Sequence, residues 1–219
     1  MIPSMSLESG DGPQAMTGQS YSARRWRVLD DPVAIRALAH PLRMDLMAIM
    51  HRLGRATTAE AAREAGISHG LASHHLRQLA KYGFVEQVAG KDNRERPWRL
   101  VATSYRWGDN VASTPEGTAA ADVLEQVLAE RALSEFLDWQ QRRVNWPAPW
   151  REHAGLGQST FYLTEAEFAE ITAAIDALLT RYAEQTAPLD DIGARPPGAV
   201  PVDFTIIATP AVKEPPTSS

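Results

Sequence analysis

The sequence predicts a mainly helical fold with a small amount of β-structure, and three features lead to that prediction. Four helices with recognisable start and stop signals follow one another within residues 31–83. Two strands joined by a basic turn come next, and a long apolar stripe of helical period begins near residue 114. Because 44% of the 219 residues are hydrophobic, the chain can bury a core of ordinary size.

Each of the four helices begins with residue types that are typical of helix N-termini, and glycine ends three of them. Short polar side chains accept hydrogen bonds from the free N–H groups of the first turn, and proline lacks the N–H that would stay unsatisfied there. The start signals are, in order, Asp31-Pro32, Pro41, the Thr57 and Glu60 pair of a capping box, and Ser68. The stop signals are Gly54, Gly66 and Gly83.

The fourth predicted helix, residues 68–82, has an apolar face and a polar face without any acidic residue. Ala72, Leu76 and Leu79 recur at helical spacing and mark the inner face. The outer residues are His69, Gly70, Ser73, His74, Arg77 and Lys81, and Ser68 is the cap at the start of the helix. Neighbours on a helix point about 100° apart, so His75 cannot share a metal ion with His74, and we predict that His75 is a buried, hydrogen-bonded histidine.

Residues 84–88 and 98–101 are predicted strands, and the polar turn between them is basic. This turn, residues 89–97, contains Lys91, Arg94 and Arg96. Residues 21–108 together hold 15 Lys and Arg against 8 Asp and Glu, whereas the rest of the chain holds 7 against 19. Such a division is typical of a module that meets a polyanion and is coupled to a module that does not.

The composition excludes several classes of protein and site. The chain has no cysteine, which rules out disulfides, thiolate metal sites, iron–sulfur clusters and cysteine nucleophiles. No stretch approaches the roughly 20 apolar residues of a transmembrane helix, and residues 1–20 lack the basic cluster and apolar run of a signal peptide. We therefore expect a cytoplasmic protein with no membrane partner.

The helices and the basic turn together predict an interaction with double-stranded DNA. The major groove of B-form DNA admits one α-helix, which a second helix must hold at a fixed angle. Short polar groups near the start of the inserted helix suit base edges, and cations farther along suit phosphates. The outer residues from Ser68 to His74 match the first requirement, and Arg77 and Lys81 match the second. The three cations of the turn are placed to neutralise phosphates beside the groove or to insert one arginine into a minor groove.

Two segments of the chain resemble a bacterial family. Residues 37–43, Ala-Leu-Ala-His-Pro-Leu-Arg, and residues 67–79, Ile-Ser-His-Gly-Leu-Ala-Ser-His-His-Leu-Arg-Gln-Leu, followed by Gly-Phe-Val at 83–85, are similar to the ArsR-type winged-helix repressors. The resemblance spans residues 33–101 and implies a dimeric transcription regulator, a repressor, whose recognition helix reads an operator. Metal-sensing members carry cysteines in the third helix and His or Asp pairs in the terminal helix. This chain has neither, so we expect no metal and no cofactor.

Thr114 and Pro115 predict the start of a long helix whose apolar stripe runs to about residue 144. One small domain cannot bury this stripe, which must pack either on a second copy or on the chain's own C-terminal segment. In the resembled family a helix at this place packs against its copy, which favours a homodimer. The predicted dimer residues are Val123, Leu124, Val127, Leu128, Phe136 and Leu137.

Beyond residue 146 the sequence predicts a small α+β unit. Residues 159–163 and 202–208 are predicted strands, and Thr164 and Glu167 form a second capping box before a helix with an apolar face. Aromatic residues in and before this unit are either core and interface anchors or the lining of a pocket for a small-molecule effector. They are Trp139, Trp146, Trp150, Phe161 and Tyr162.

The predicted organisation has five parts. They are a disordered leader (1–20), a winged helix-turn-helix DNA-binding domain (21–110), a dimerisation helix (111–145), the α+β unit (146–212) and a flexible tail (213–219). The winged helix as a protein-interaction module is an alternative function. The C-terminal unit shows no nucleophile–base pair, paired carboxylates or phosphate loop, so we expect no catalytic activity.

Overall fold

The computed structural model describes residues 26–90, 96–102, 104–107, 109–185 and 192–212. Within them the chain is mostly helical with two small sheets, which confirms the predicted fold class. The strands are β1 (Trp26–Leu29), β2 (Arg55–Ala56), β3 (Val85–Gln87), β4 (Trp98–Leu100) and β5 (Ser104–Trp107). The helices are α1 (Pro32–Leu38), α2 (Pro41–Leu53), α3 (Thr58–Ala65), α4 (His69–Lys81), α5 (Asp109–Ala112), α6 (Pro115–Arg142), α7 (Ala148–His153) and α8 (Glu165–Gln185), with 3-10 turns at Arg143–Asn145 and Ile192–Ala194. The predicted leader and tail lie outside the described residues, as do Lys91 and Arg94.

The helices begin where their caps predict. The Asp31 carboxylate accepts a hydrogen bond of 2.8 Å from the backbone N–H two residues on, at the start of α1. At α3 the Thr57 hydroxyl accepts from the N–H of Glu60, and the Glu60 carboxylate accepts from the N–H of Thr57. Ser68 caps α4 by accepting from the N–H of Leu71. These bonds satisfy N–H groups that have no partner inside their helices.

The predicted hairpin of β3 and β4 belongs to a three-stranded antiparallel sheet of order β2-β4-β3. A second sheet consists of β1 and β5 as a parallel pair, with Trp26 opposite Ser104. β1, β2 and β5 are not among the predicted strands. Each has two to four residues and pairs with a strand distant along the chain, so no turn signal stands beside it.

The core lies between α1, α2, α4, the hairpin and the first half of α6. Its largest fully buried side chains include Leu29, Ile35, Leu46, Met50, Leu76, Leu79, Phe84 and Leu124. Ala61 and Ala62 of α3 are also buried, and their small side chains let α3 pack closely on α4. The apolar face of α4 is therefore covered by several elements at once.

One side of the first half of α6 packs on the core of its own chain. Leu124 is fully buried in the core to which α1 contributes, and Leu128 is partly buried against it. The prediction of Leu124 as a dimer residue is wrong, because α1 covers this part of the stripe. Val123 and Leu137, each 48% exposed, lie outside that cover.

The C-terminal part contains the predicted helix but not the predicted strands. α8 follows a capping box in which Thr164 and Glu167 exchange both hydrogen bonds. Residues 159–163 and 202–208 form no strand, and their apolar side chains are exposed. Both strand predictions are wrong, because no described strand lies beside either segment to pair with it. Throughout the described residues, no helix combines the length and the apolar character needed to cross a bilayer.

Candidate nucleic-acid interface

α4 presents its polar face to solvent and its apolar face to the core. Ala72, Leu76 and Leu79 are fully buried on the inner side. The predicted outer residues Ser68, His69, His74, Arg77 and Lys81 are exposed, and Ser73 is half-buried. The structure thus brings Ser68 and the five residues of α4 that the sequence predicts for DNA binding to one open surface, where their contacts with DNA stay a prediction.

The turn between α3 and α4 is tight and has a fixed geometry. Gly66 has a φ of +65°, in the left-handed region where a side chain would be strained. The N–H of Ile67 donates to the carbonyl of Ala62 at 3.0 Å, which ties the turn back to α3. With Ser68 as the cap of α4, these bonds set the angle at which α3 supports α4.

An arginine of β1 holds the C-terminal end of α4. The Arg27 guanidinium donates to the carbonyl of Tyr82 at 2.6 Å and lies over the Phe84 ring, 5.1 Å from its centroid. Carbonyl groups at the end of a helix lack donors within the helix, and a cation suits them. Arg27 is missing from the predicted site residues, because its position depends on the pairing of β1 with β5.

The hairpin beside α4 is anchored to α3. The indole N–H of Trp98 donates to the Thr58 hydroxyl at 3.0 Å, which ties β4 to the start of α3. Across the hairpin Arg99 pairs with Glu86, with Nη2 and Oε1 2.7 Å apart. Arg96, the cation of the predicted basic turn that the structure describes, is exposed two residues before β4.

The stretch of the chain from α2 to β3 matches a known family. Residues 38–88 match the family described as helix-turn-helix domain. This part of the chain is a helix-turn-helix domain. With the hairpin of β3 and β4 beside it, it has the winged helix-turn-helix fold that DNA-binding transcription regulators use. The helix-turn-helix that the sequence predicts in this part of the chain is therefore confirmed.

Several solved structures are similar to part of this chain. One is a homodimeric winged helix-turn-helix DNA-binding domain of a possible ArsR-family regulator from Mycobacterium bovis, 23% identical over 48% of this chain and 84% of that chain, with a TM-score of 0.31. A mutant MarR from Escherichia coli is 16% identical over 68% of this chain and 88% of that chain, with a TM-score of 0.28. MepR from Staphylococcus aureus, in complex with DNA, is 13% identical over 52% of this chain and 84% of that chain, and its TM-score is also 0.28. No curated protein matches the chain.

The predicted burial of His75 behind the outer face of the helix-turn-helix domain is confirmed. It is 7% exposed, and burial, together with the nearby His40, Arg43 and His74, lowers the pKa of its imidazole. Its Nδ1 atom has no hydrogen-bond partner among the described residues, which differs from the predicted hydrogen-bonded histidine. Those residues also contain no group of three or more His, Asp or Glu side chains able to hold a metal ion.

The aromatic residues after the helix-turn-helix domain divide into two sets. Trp139, Trp146 and Trp150 make successive edge-to-face contacts, with ring centroids 5.5 and 5.7 Å apart. Phe161 and Tyr162 are 69% and 103% exposed. A residue that lines a pocket is at least partly covered, so the predicted five-residue pocket is wrong for Phe161 and Tyr162. The tryptophans form an apolar cluster at the end of α6.

Proposed function

We propose that this protein is a homodimeric transcription regulator that binds double-stranded DNA sequence-specifically and represses the genes it controls in the cytoplasm. In this proposal α4 enters the major groove, and the basic turn between β3 and β4 contacts the phosphate backbone. One observation carries the proposal. The outer face of α4 is exposed and includes Arg77 and Lys81 but no acid, while its inner face is fully buried.

The charges around α4 support this orientation. Arg77, Lys81 and Arg96 are all exposed. None of the three forms an ion pair with another described residue, unlike other arginines of the chain. Glu86, the acidic residue of β3, is paired with Arg99. A phosphate backbone that approaches α4 and the hairpin would therefore meet cations, and each such contact releases condensed counterions from the DNA.

We propose that the second half of α6 carries the dimer interface. Leu133 and Leu137 lie one turn apart beyond the part that α1 covers and are 59% and 48% exposed, and Val144, in the 3-10 turn after α6, is 72% exposed. An apolar stripe on a long helix is stabilised when a second copy packs against it. A two-fold dimer of this kind would present two copies of α4 to half-sites about 34 Å apart, one turn of DNA.

Selection from random duplex DNA with the full-length protein tests this proposal. We expect enrichment of a partly palindromic sequence whose half-sites lie one helical turn apart, and an affinity that falls steeply as salt rises. A reporter gene placed behind the enriched sequence should be expressed less when the protein is present. Equal binding of all duplexes would refute the proposal and would support the protein-interaction module instead.

A further inference from the structure

Gly70 is a glycine that the chain's own structure does not require. It lies in the first turn of α4 and is not among the glycines with positive φ. A Cβ placed on it would meet nothing within 4 Å. Since alanine forms helices better than glycine, the stability of the fold favours a side chain here. The missing side chain points to something outside the chain that comes close to the backbone.

Gly70 also lies in the middle of the outer face. At about 100° per residue, Gly70, His74, Arg77 and Lys81 share one row along α4, and all four are exposed. A partner that contacts this row therefore passes over Gly70. It can approach most closely there, at the N-terminal end where a recognition helix contacts base edges.

Leu71, the next residue, is a large apolar side chain on this polar surface. It is 42% exposed, and its backbone N–H, not its side chain, takes part in the cap by donating to the Ser68 hydroxyl at 3.2 Å. It lies one turn before His74, at the edge of the outer face. In the major groove, the apolar group that a base presents is the C5-methyl of thymine.

We propose that the first turn of α4 reads a thymine. Gly70 lets the helix approach the floor of the groove, and Leu71 packs on the thymine methyl group. This inference rests on the proposed function and extends it by naming the base and the two residues that select it. Neither residue brings a polar side chain, so the discrimination comes from close approach and from the burial of one methyl group.

Replacement of thymine by uracil isolates that methyl group. The full-length protein is titrated with the duplex obtained by selection, in which each thymine in turn is replaced by uracil. We expect one thymine in each half-site whose replacement weakens binding about fourfold, the effect of exposing roughly one methyl group. In the Leu71→Ala protein, the same replacement should leave the affinity unchanged.

The two possible failures are distinguishable. If a selected duplex binds tightly but no thymine shows this coupling to Leu71, the thymine assignment is overturned and the proposed function stands. If selection returns no preferred duplex, the proposed function fails and the thymine assignment fails with it.

Gly70→Ala tests the close approach separately. We expect its thermal unfolding midpoint to equal or exceed that of the wild type, and its affinity for the selected duplex to fall at least tenfold. Gly155→Ala is the matched control, because Gly155 also has open space where its Cβ would lie, and it should change neither quantity. Wild-type affinity in Gly70→Ala would overturn the role of Gly70.

Discussion

The imidazole of His75 in α4 lies against that of His40, the residue before α2, with ring centroids 4.7 Å apart. The Nδ1 atoms of both rings are buried without a hydrogen-bond partner among the described residues. Arg43 lies near both rings, and its guanidinium donates to the carbonyl of Ala37. The candidate recognition helix therefore rests on two imidazoles beside a fixed cation, an arrangement that favours their neutral forms.

Acidification should destabilise the protein through this pair. Burial is the main cause that lowers the pKa of His75 from its ordinary 6.5, and His40, Arg43 and His74 lower it further; burial and then Arg43 lower that of His40. Well above pH 6.5 both imidazoles are neutral in the folded and in the unfolded chain, so their titration does not lower the free energy of unfolding. As the pH falls below 6.5, the unfolded chain binds protons first, so the free energy of unfolding decreases until the pH passes the folded-state pKa values. Urea unfolding between about pH 7.5 and pH 5 measures this decrease.

Two variants of α4 assign the effect. His75→Gln should flatten the dependence of the unfolding free energy on pH, whereas Ser73→Ala, which removes no titratable group from the same helix, should keep the wild-type slope. Slopes are compared rather than absolute stabilities, because any change at a buried position alters packing. An equal slope in His75→Gln and wild type would assign the acid sensitivity to other groups.

Arg77→Ala should weaken binding to a selected duplex by about 1 to 3 kcal/mol if Arg77 reaches a base, with a relaxed preference at that position. If it reaches a phosphate instead, all duplexes should lose affinity alike, and the slope of log affinity against log salt should shrink by about 0.9. Titrations at several salt concentrations separate the two outcomes. Arg151→Ala, at an exposed arginine of α7, is the control. Unchanged affinity in Arg77→Ala would remove Arg77 from the interface.

The features that the sequence predicts well are those fixed by neighbours along the chain. The capping box of Thr57 and Glu60 needs only a spacing of three residues. The two faces of α4 follow from helical periodicity alone. By contrast, the bond from Arg27 to Tyr82 joins residues 55 positions apart, and nothing local indicates that β1 and β5 lie side by side.

In the C-terminal half the sequence predicts strands that the structure does not contain. The alternating apolar residues from 202 to 208 satisfy the local rule for a strand, but a strand also needs an edge that supplies backbone hydrogen bonds. The predicted dimer residues of α6 show a related limit of periodicity. Periodicity places Leu124 on the apolar side of α6, but it does not reveal that α1 already covers that position.

Arg195→Gln should loosen the C-terminal segment. Its guanidinium donates to the carbonyls of His51 and Arg52 at 2.7 and 2.9 Å, at the C-terminal end of α2. Loss of these charge-assisted bonds should cost about 1 to 2 kcal/mol and speed proteolysis of residues 192–212. Burial is the larger cause that lowers the pKa of His51, followed by Arg195, with Asp203 opposing them. The variant should therefore raise that pKa in an NMR titration, and an unmoved pKa would contradict the contact.

A charge in the second half of α6 should separate the subunits of the proposed dimer. Leu133 and Leu137 are 59% and 48% exposed, so Leu133→Asp or Leu137→Asp should leave the fold of the single chain intact. In the dimer each change removes about 1.5 to 3 kcal/mol of apolar burial per leucine, twice by symmetry, and it also buries a carboxylate.

Sedimentation should therefore show monomers for both leucine variants, and their affinity for a duplex with two half-sites should fall to that for one half-site. Gln141→Asp, at an exposed polar position of the same helix, should stay dimeric. Leucine variants that still sediment as dimers would place the interface outside this stripe. A wild-type protein that sediments as a monomer would refute the proposed dimer itself.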